Sequence, residues 1–248
     1  MKSYTTFLKE MYRGANQHVE GELVSEGMKE FPTISSLPNN HIAKQYLIKR
    51  KIPSKWFKYL YYTDNTNELL ETYGFKKMGT SADTEGRIII PFHAPNGKLS
   101  GFQARTLDPK VAIRYRYISK EIDKSVPRVF NLSRVKFNKP VLILEGPFDS
   151  MFLDNAIAAM GAEIPSKLGE IKFDNWIYVP DRDLSNPSII RNLKSLLKKG
   201  YKISLLPKEV GEGKDINDYI LSGTPAKTIQ KMIMDNIIET EEDITTWK

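Results

Sequence analysis

The chain has 248 residues, enough for one large domain or two smaller ones sharing a substantial core. It contains no cysteine, which excludes disulfides and thiolate zinc sites and suits a reducing cytoplasm, and its three histidines (His18, His41, His93) are too scattered for a histidine-based metal centre. The net charge is +7, no apolar run approaches membrane-span length and the first residues carry no signal-like apolar stretch, so neither secretion nor a membrane partner is expected.

Residues 1 to 40 read as a leader of weak periodicity ending in the turn-rich segment 35 to 40. Residues 41 to 50 are predicted helical, with Ile42, Tyr46 and Leu47 on one face and Asn40 as the N-cap. The Ile52-Pro53-Ser54 segment breaks that helix, and a second helix starting at Ser54 carries Trp56, Phe57, Leu60 and Tyr61. From Gly86 the pattern changes to short strands at 87 to 92, 99 to 105 and 113 to 119, with a turn at Pro95-Asn96-Gly97. This predicts an antiparallel meander with helices packed on it.

The segment from Gly86 to Pro140 carries twelve basic residues against three acidic ones, with Phe92, Phe102, Tyr115, Tyr117 and Phe130 interleaved. Phosphate attraction and ring stacking on bases make such a surface suitable for nucleic acid. A solvated face on an ordinary basic protein accounts for the charge equally well.

After Asn138 strands and helices alternate. Strands are predicted at 141 to 145, 156 to 160, 176 to 180 and 202 to 206, with helices at 148 to 154, 166 to 171 and 187 to 199, the last stopped by Gly200. Apolar strands alternating with helices imply a parallel α/β sheet. Helices at 216 to 221 and 225 to 238 and an acidic tail at 239 to 243 complete the chain. The expected fold class is therefore α/β: an N-terminal α+β subdomain of helices plus antiparallel meander, a parallel α/β sheet and a short helical C-terminus. The expected divisions are 1–40 (leader), 41–138, 139–210 and 211–248.

In an open parallel sheet, ligands collect at the carboxyl ends of the strands, where Glu145 and Asp181 both fall. Asp181 and Asp183 are two apart, so in extended backbone their side chains project to the same side. Converging carboxylates repel unless a hard divalent cation neutralises them, and oxygen ligands suit Mg²⁺. Asp149 and Asp215 can add to the shell directly or through water. Taken singly, Asp183 reads more readily as a helix cap and Glu145 as a solvated strand end; all three placed at strand exits of one α/β unit reverse that.

At these residues the sequence resembles the Toprim signature: Glu145-Gly-Pro-Phe-Asp149 stands for an EG-x-x-D turn, and Asp181-Arg-Asp183 for the later D-x-D. Gly86-Arg-Ile-Ile-Ile-Pro91, Gly101-Phe-Gln-Ala-Arg105, Arg116-Tyr-Ile-Ser119 and Arg128-Val-Phe-Asn-Leu132 are similar, in order, to the upstream motifs of bacterial and phage replicative primases. Lys214-Asp-Ile-Asn-Asp218 resembles the family's downstream K-D-P-D-E-Y-L segment, and His41 to Leu47 with Arg50 to Pro53 its helical opening. The sequence departs from the family in having no cysteine zinc ribbon, no Walker A segment, Ser119 where a KYLN-like motif ends in asparagine, and Asn217 at the second acid of the downstream motif.

The resemblance implies a primase catalytic core that synthesises short RNA primers on single-stranded DNA from ribonucleoside triphosphates. Glu145, Asp181 and Asp183 would be catalytic, and these three with Asp149 and Asp215 would hold Mg²⁺ (or Mn²⁺). Arg87, Arg105 and Arg116, and with weaker support Lys98, Arg114 and Arg128, would contact template and triphosphate phosphates. A separate replicative helicase or zinc-ribbon protein is an implied partner, and the cytoplasm (the host's, for a phage protein) the implied location. Two alternatives stay open: a Toprim nuclease, and a non-catalytic nucleic-acid-binding or replisome protein derived from a primase.

Overall fold

The computed structural model describes Met28, residues 30 to 77, Gly79, and residues 86 to 93, 99 to 108, 115 to 119 (backbone only), 129 to 136, 138 to 159, 175 to 182, 187 to 206 and 213 to 246. The described residues divide into two compact units, those from Met28 to Ser133 in one and those from Arg134 onward in the other.

The first unit opens with helix α1, Ile42–Lys49, whose N-cap is His41 rather than Asn40: the imidazole Nδ1 accepts the Ala43 N–H at 3.2 Å. The segment after Pro53 forms a tight 3₁₀ helix, Ser54–Tyr59, which buries Trp56 and Phe57. Strand β1 (Tyr61–Thr63), helix α2 (Thr66–Thr72) and strands β2 (Arg87–His93), β3 (Leu99–Thr106) and β4 (Tyr115–Ser119) follow. The four strands form one antiparallel sheet in the order β1-β2-β3-β4.

All seven residues of β2 are buried, in keeping with its Arg-Ile-Ile-Ile-Pro-Phe-His run. Pro91 lies past the reach of β1, whose pairing ends at Ile89, so β2 has a partner on one side there and a residue without an N–H is tolerated. Beneath the sheet Met28, Tyr61, Leu69, Leu70, Ile89, Phe102 and Ala104 form a common core. The chain before α1 joins it, with Ile34 fully buried and Thr33 bridged to Tyr61.

The second unit is built on β5 (Val141–Leu144), helix α3 (Pro147–Ser150), β6 (Ala156–Ala158), β7 (Trp176–Tyr178), helix α4 (Pro187–Lys198) and β8 (Lys202–Ser204). Helices α5 (Ile216–Leu221) and α6 (Ala226–Asp235), strand β9 (Ile237–Ile238) and helix α7 (Glu241–Thr246) complete it. The sheet order is β6-β5-β7-β8-β9, and every pair is parallel except β8 with β9. β5 is flanked by its immediate successor β6 and by the later β7, so the winding reverses at β5 and opens a crevice at the carboxyl ends of β5 and β7.

Two sequence expectations change here. The long helix at 225 to 238 stops at Asp235, because the β-branched pair Ile237 and Ile238 instead covers the edge of β8, pairing with Ser204 and Ile203. The acidic tail is helical: the Asp243 carboxylate accepts the Thr240 N–H at 3.2 Å and hydroxyl at 2.7 Å, a cap on the first turn of α7. The region also carries ion pairs from Lys198 to Glu241 and Lys202 to Glu239. The expected helix at 166 to 171 lies outside the described residues. Among the described residues no helix is long and apolar enough to cross a membrane.

Gly200 ends α4 in a Schellman turn, with φ at 74°, its own N–H on the Leu197 carbonyl at 2.7 Å and the Tyr201 N–H on Leu196 at 3.1 Å. An L side chain is strained in that conformation by about 1–2 kcal/mol. Gly200→Ala is expected to lower the denaturant midpoint accordingly. Gly79→Ala, whose added Cβ meets no atom within 4 Å, is expected to leave it unchanged.

Candidate metal centre

The site is assembled by pairing. Parallel register sets Ile143 against Tyr178, and the Val179 N–H continues the ladder to the Ile143 carbonyl at 2.9 Å. Both strands then end, releasing Glu145 and Asp181 side by side, with the Asp181 N–H 3.4 Å from Glu145 Oε1. The Arg182 N–H donates to the Lys214 carbonyl at 2.7 Å, which ties this exit to the turn before α5. That turn brings Asp215 and Asp218 to the same neighbourhood.

Backbone amides hold most of these carboxylates. Asp215 caps α5 by accepting the Asp218 N–H at 2.8 Å, Asp218 accepts the Lys214 N–H at 3.0 Å, and the buried Asp149 accepts the Asn217 N–H at 2.9 Å. Gly146 and Gly213 permit the close approaches: a Cβ at Gly146 would sit 2.6 Å from Asp149 Oδ2, and one at Gly213 would sit 2.8 Å from Asp218 Cβ. Asn217, which stands where the family carries an acid, is itself buried.

Burial, followed by the charges of Glu145, Asp149, Asp215 and Asp218, pushes the Asp181 carboxyl from an ordinary 3.8 up to about 8. Burial and the neighbouring Glu145 likewise raise the Tyr178 phenol, keeping it protonated as a donor; its hydroxyl donates to Glu145 Oε1 at 2.9 Å. An all-oxygen donor set under such repulsion fits a hard divalent cation.

Of the predicted ligands, Glu145, Asp149, Asp181 and Asp215 share one electrostatic neighbourhood, and Asp183 lies outside the described residues. Among the described residues no three aspartate, glutamate or histidine side chains are grouped closely enough to ligate one ion in common. Asp149 and Asp215 each also accept the backbone amide of a residue in α5. Tyr178 and Asp218 were not among the site residues expected from sequence. A tyrosine inside a buried strand reads as core, whereas Asp218 lies in the downstream motif and could have been included.

The phosphate-contact candidates of the first unit separate in the same way. Arg87 is fully buried, its Nη1 donating to the Ala104 carbonyl at 2.9 Å, so the guanidinium is enclosed in the sheet instead of facing phosphate. Arg105 is half-buried with its guanidinium carbon 5.7 Å from the centre of the Tyr46 ring, and Arg50 approaches the same ring at 5.4 Å. Arg116 is described by backbone alone, in β4, while Lys98, Arg114 and Arg128 lie outside the described residues. Sequence reasoning passed over Arg50 and the exposed Lys49, Lys51, Lys55 and Lys58. The signal was available: from Phe31 to Thr63 the sequence has six basic residues and no acid.

The Asp181 shift fixes the sign of a pH effect. A carboxyl whose folded pKa exceeds its unfolded value confers stability that is complete below pH 3.8 and lost as pH rises through about 8. In EDTA the melting temperature is expected to fall between these limits, with a shallower fall in Asp181→Asn. Mg²⁺ added near pH 8 is expected to restore the wild type and leave Asp181→Asn largely unmoved.

No protein-family model matches the chain. It is 29% identical over 210 residues to the DNA primase of Enterobacteria phage T4, covering 83% of this chain and 59% of that one. A DNA primase of Mycoplasma genitalium is 26% identical over 248 residues, covering 94% of this chain and 38% of the relative. The chain thus spans well under two thirds of the length of either relative. Among solved structures, a DnaG primase catalytic domain bound to single-stranded DNA superposes with a TM-score of 0.63 at 16% identity, over 98% of this chain and 82% of that one. The chain is thus similar in sequence to these two DNA primases and has the fold of the DnaG catalytic core.

Proposed function

We propose that this chain is a primase catalytic core that makes short RNA primers on single-stranded DNA by Mg²⁺-dependent (or Mn²⁺-dependent) nucleotidyl transfer. The observation that carries the reading is the crowding of Glu145, Asp149, Asp215 and Asp218 around the buried Asp181 at the switch point of the parallel sheet, where burial first and these charges second push its carboxyl up to about 8. The phage and mycoplasma relatives support primer synthesis as the use of that site.

Glu145 and Asp181, with Asp183 beside them in sequence, would hold the metal, and Asp149, Asp215 and Asp218 would complete its surroundings directly or through water. When bound, the ion supplies charge stabilisation on the leaving pyrophosphate and lowers the pKa of the attacking hydroxyl. The chain's own contribution is positional. Amides from Lys214, Asn217 and Asp218 fix three of the carboxylates, and Tyr178 and the Asp181 amide fix Glu145.

Single-stranded template and ribonucleoside triphosphates are polyanions, and the first unit has the cations to meet them. Arg105 and Arg50 are held against Tyr46, and Lys49, Lys51, Lys55 and Lys58 are exposed on α1 and the turn and 3₁₀ helix after it. Arg116, Lys98, Arg114 and Arg128 extend the assignment along the basic segment. A zinc ribbon for reading the template, and a helicase, would come from outside these 248 residues, which contain neither a cysteine nor a Walker A segment.

The test is single-stranded DNA with labelled ribonucleotides and Mg²⁺. Oligoribonucleotides are expected from the wild type and a loss of at least a hundredfold from Glu145→Gln; cut template without them would establish the nuclease reading, and DNA binding without either product the non-catalytic one. The expected salt dependence of template binding is steep, weakening by about 0.7 in log slope per phosphate contact removed. Replacing Lys49, Lys51, Lys55 and Lys58 together by glutamine should lower both affinity and slope. An unchanged slope would remove that surface from the template path.

A further inference from the structure

Glu145 does not present its two carboxylate oxygens equally. Oε1 accepts the Tyr178 hydroxyl at 2.9 Å and the Asp181 N–H at 3.4 Å, whereas Oε2 accepts no hydrogen bond from any described residue. Tyr178 is only 2% exposed and lies on the rigid part of β7, paired with Ile143 two residues before Glu145. Glu145 follows β5 two residues after Ile143, and the register that sets Ile143 beside Tyr178 brings the phenol within reach of the carboxylate. A buried hydroxyl without an acceptor is costly, which keeps this contact made.

We propose that Tyr178 is a positioning residue for metal binding: it holds Glu145 by Oε1 and thereby turns Oε2 outward as the single oxygen that ligates the divalent ion. The inference rests on the metal-dependent reading above and deepens it by naming which oxygen of Glu145 serves the metal and what holds it there. The tyrosine touches neither substrate nor metal. It acts through Glu145 alone, by restricting the carboxylate to one rotamer and by leaving one oxygen unengaged. The contact is a neutral donor on a charged acceptor, the class of outer-shell bond that orients ligating carboxylates.

Titration of the full chain with Mn²⁺ alone, counting free ion by electron paramagnetic resonance, tests this without requiring turnover. Tyr178→Phe is expected to weaken Mn²⁺ binding roughly tenfold, the lower end of the loss when an outer-shell partner is removed, without lowering the melting temperature in EDTA. Glu145→Gln should also weaken binding, and Tyr178→Phe added to it should produce no further loss. Wild-type binding retained in full by Tyr178→Phe would overturn the inference and leave the primase reading standing. Equal losses in both backgrounds, or a Tyr178→Phe chain that melts far lower in EDTA, would also overturn it, because the hydroxyl would then act independently of Glu145 or only in folding. A wild-type chain that binds no Mn²⁺ would overturn the metal reading and this inference with it.

Discussion

Repulsion among carboxylates that the strand register forces together is the constraint on which the second unit depends. Glu145 and Asp181 leave adjacent parallel strands at the same level, and the turn before α5 adds Asp215 and Asp218. Asp149, Asp215 and Asp218 are each met by a backbone amide, and Glu145 by the Tyr178 hydroxyl and the Asp181 N–H, whereas the Asp181 carboxylate accepts no hydrogen bond from a described residue. The arrangement costs stability when all its members are ionised and is relieved by a proton or a cation. That property is what the metal-dependent reading proposed above draws on.

The first unit meets the opposite electrostatic problem, gathering cations with few acids to balance them. Its sheet encloses one of these, Arg87, against a carbonyl of the neighbouring strand, while Arg105 from β3 and Arg50 from the end of α1 both approach the Tyr46 ring. The remaining lysines are exposed on a helix, turn and 3₁₀ segment whose backbone is fixed by buried Leu47, Trp56 and Phe57. Exposed charge of this kind is what the template contact proposed above draws on.

Much of this was legible before any coordinates. The apolar run ending at Glu145, the later strand ahead of Asp181 and helix α5 all carry strong local signals, and the alternation of strands and helices implied the parallel sheet. What escaped was set by long-range pairing. Arg87 begins a strand and reads as surface charge, but β1 and β3 flank it on both sides and enclose it. Ile237 and Ile238 continue a helical pattern, yet the open edge of β8 claims them as a strand. Tyr178 reads as core, and only the register of β7 against β5 shows that its hydroxyl reaches Glu145. The acid-free run from Phe31 to Thr63 was in plain view, overshadowed by the denser basic segment after it.

The central claim is that the carboxylates at the β5 and β7 exits hold a divalent ion. Anomalous scattering from crystals of the full chain soaked in Mn²⁺ tests it most directly. The expected result is a peak at coordination distance, about 2.0–2.2 Å, from Glu145 and Asp181. A well-ordered site with both side chains visible and no peak beside them would contradict the account.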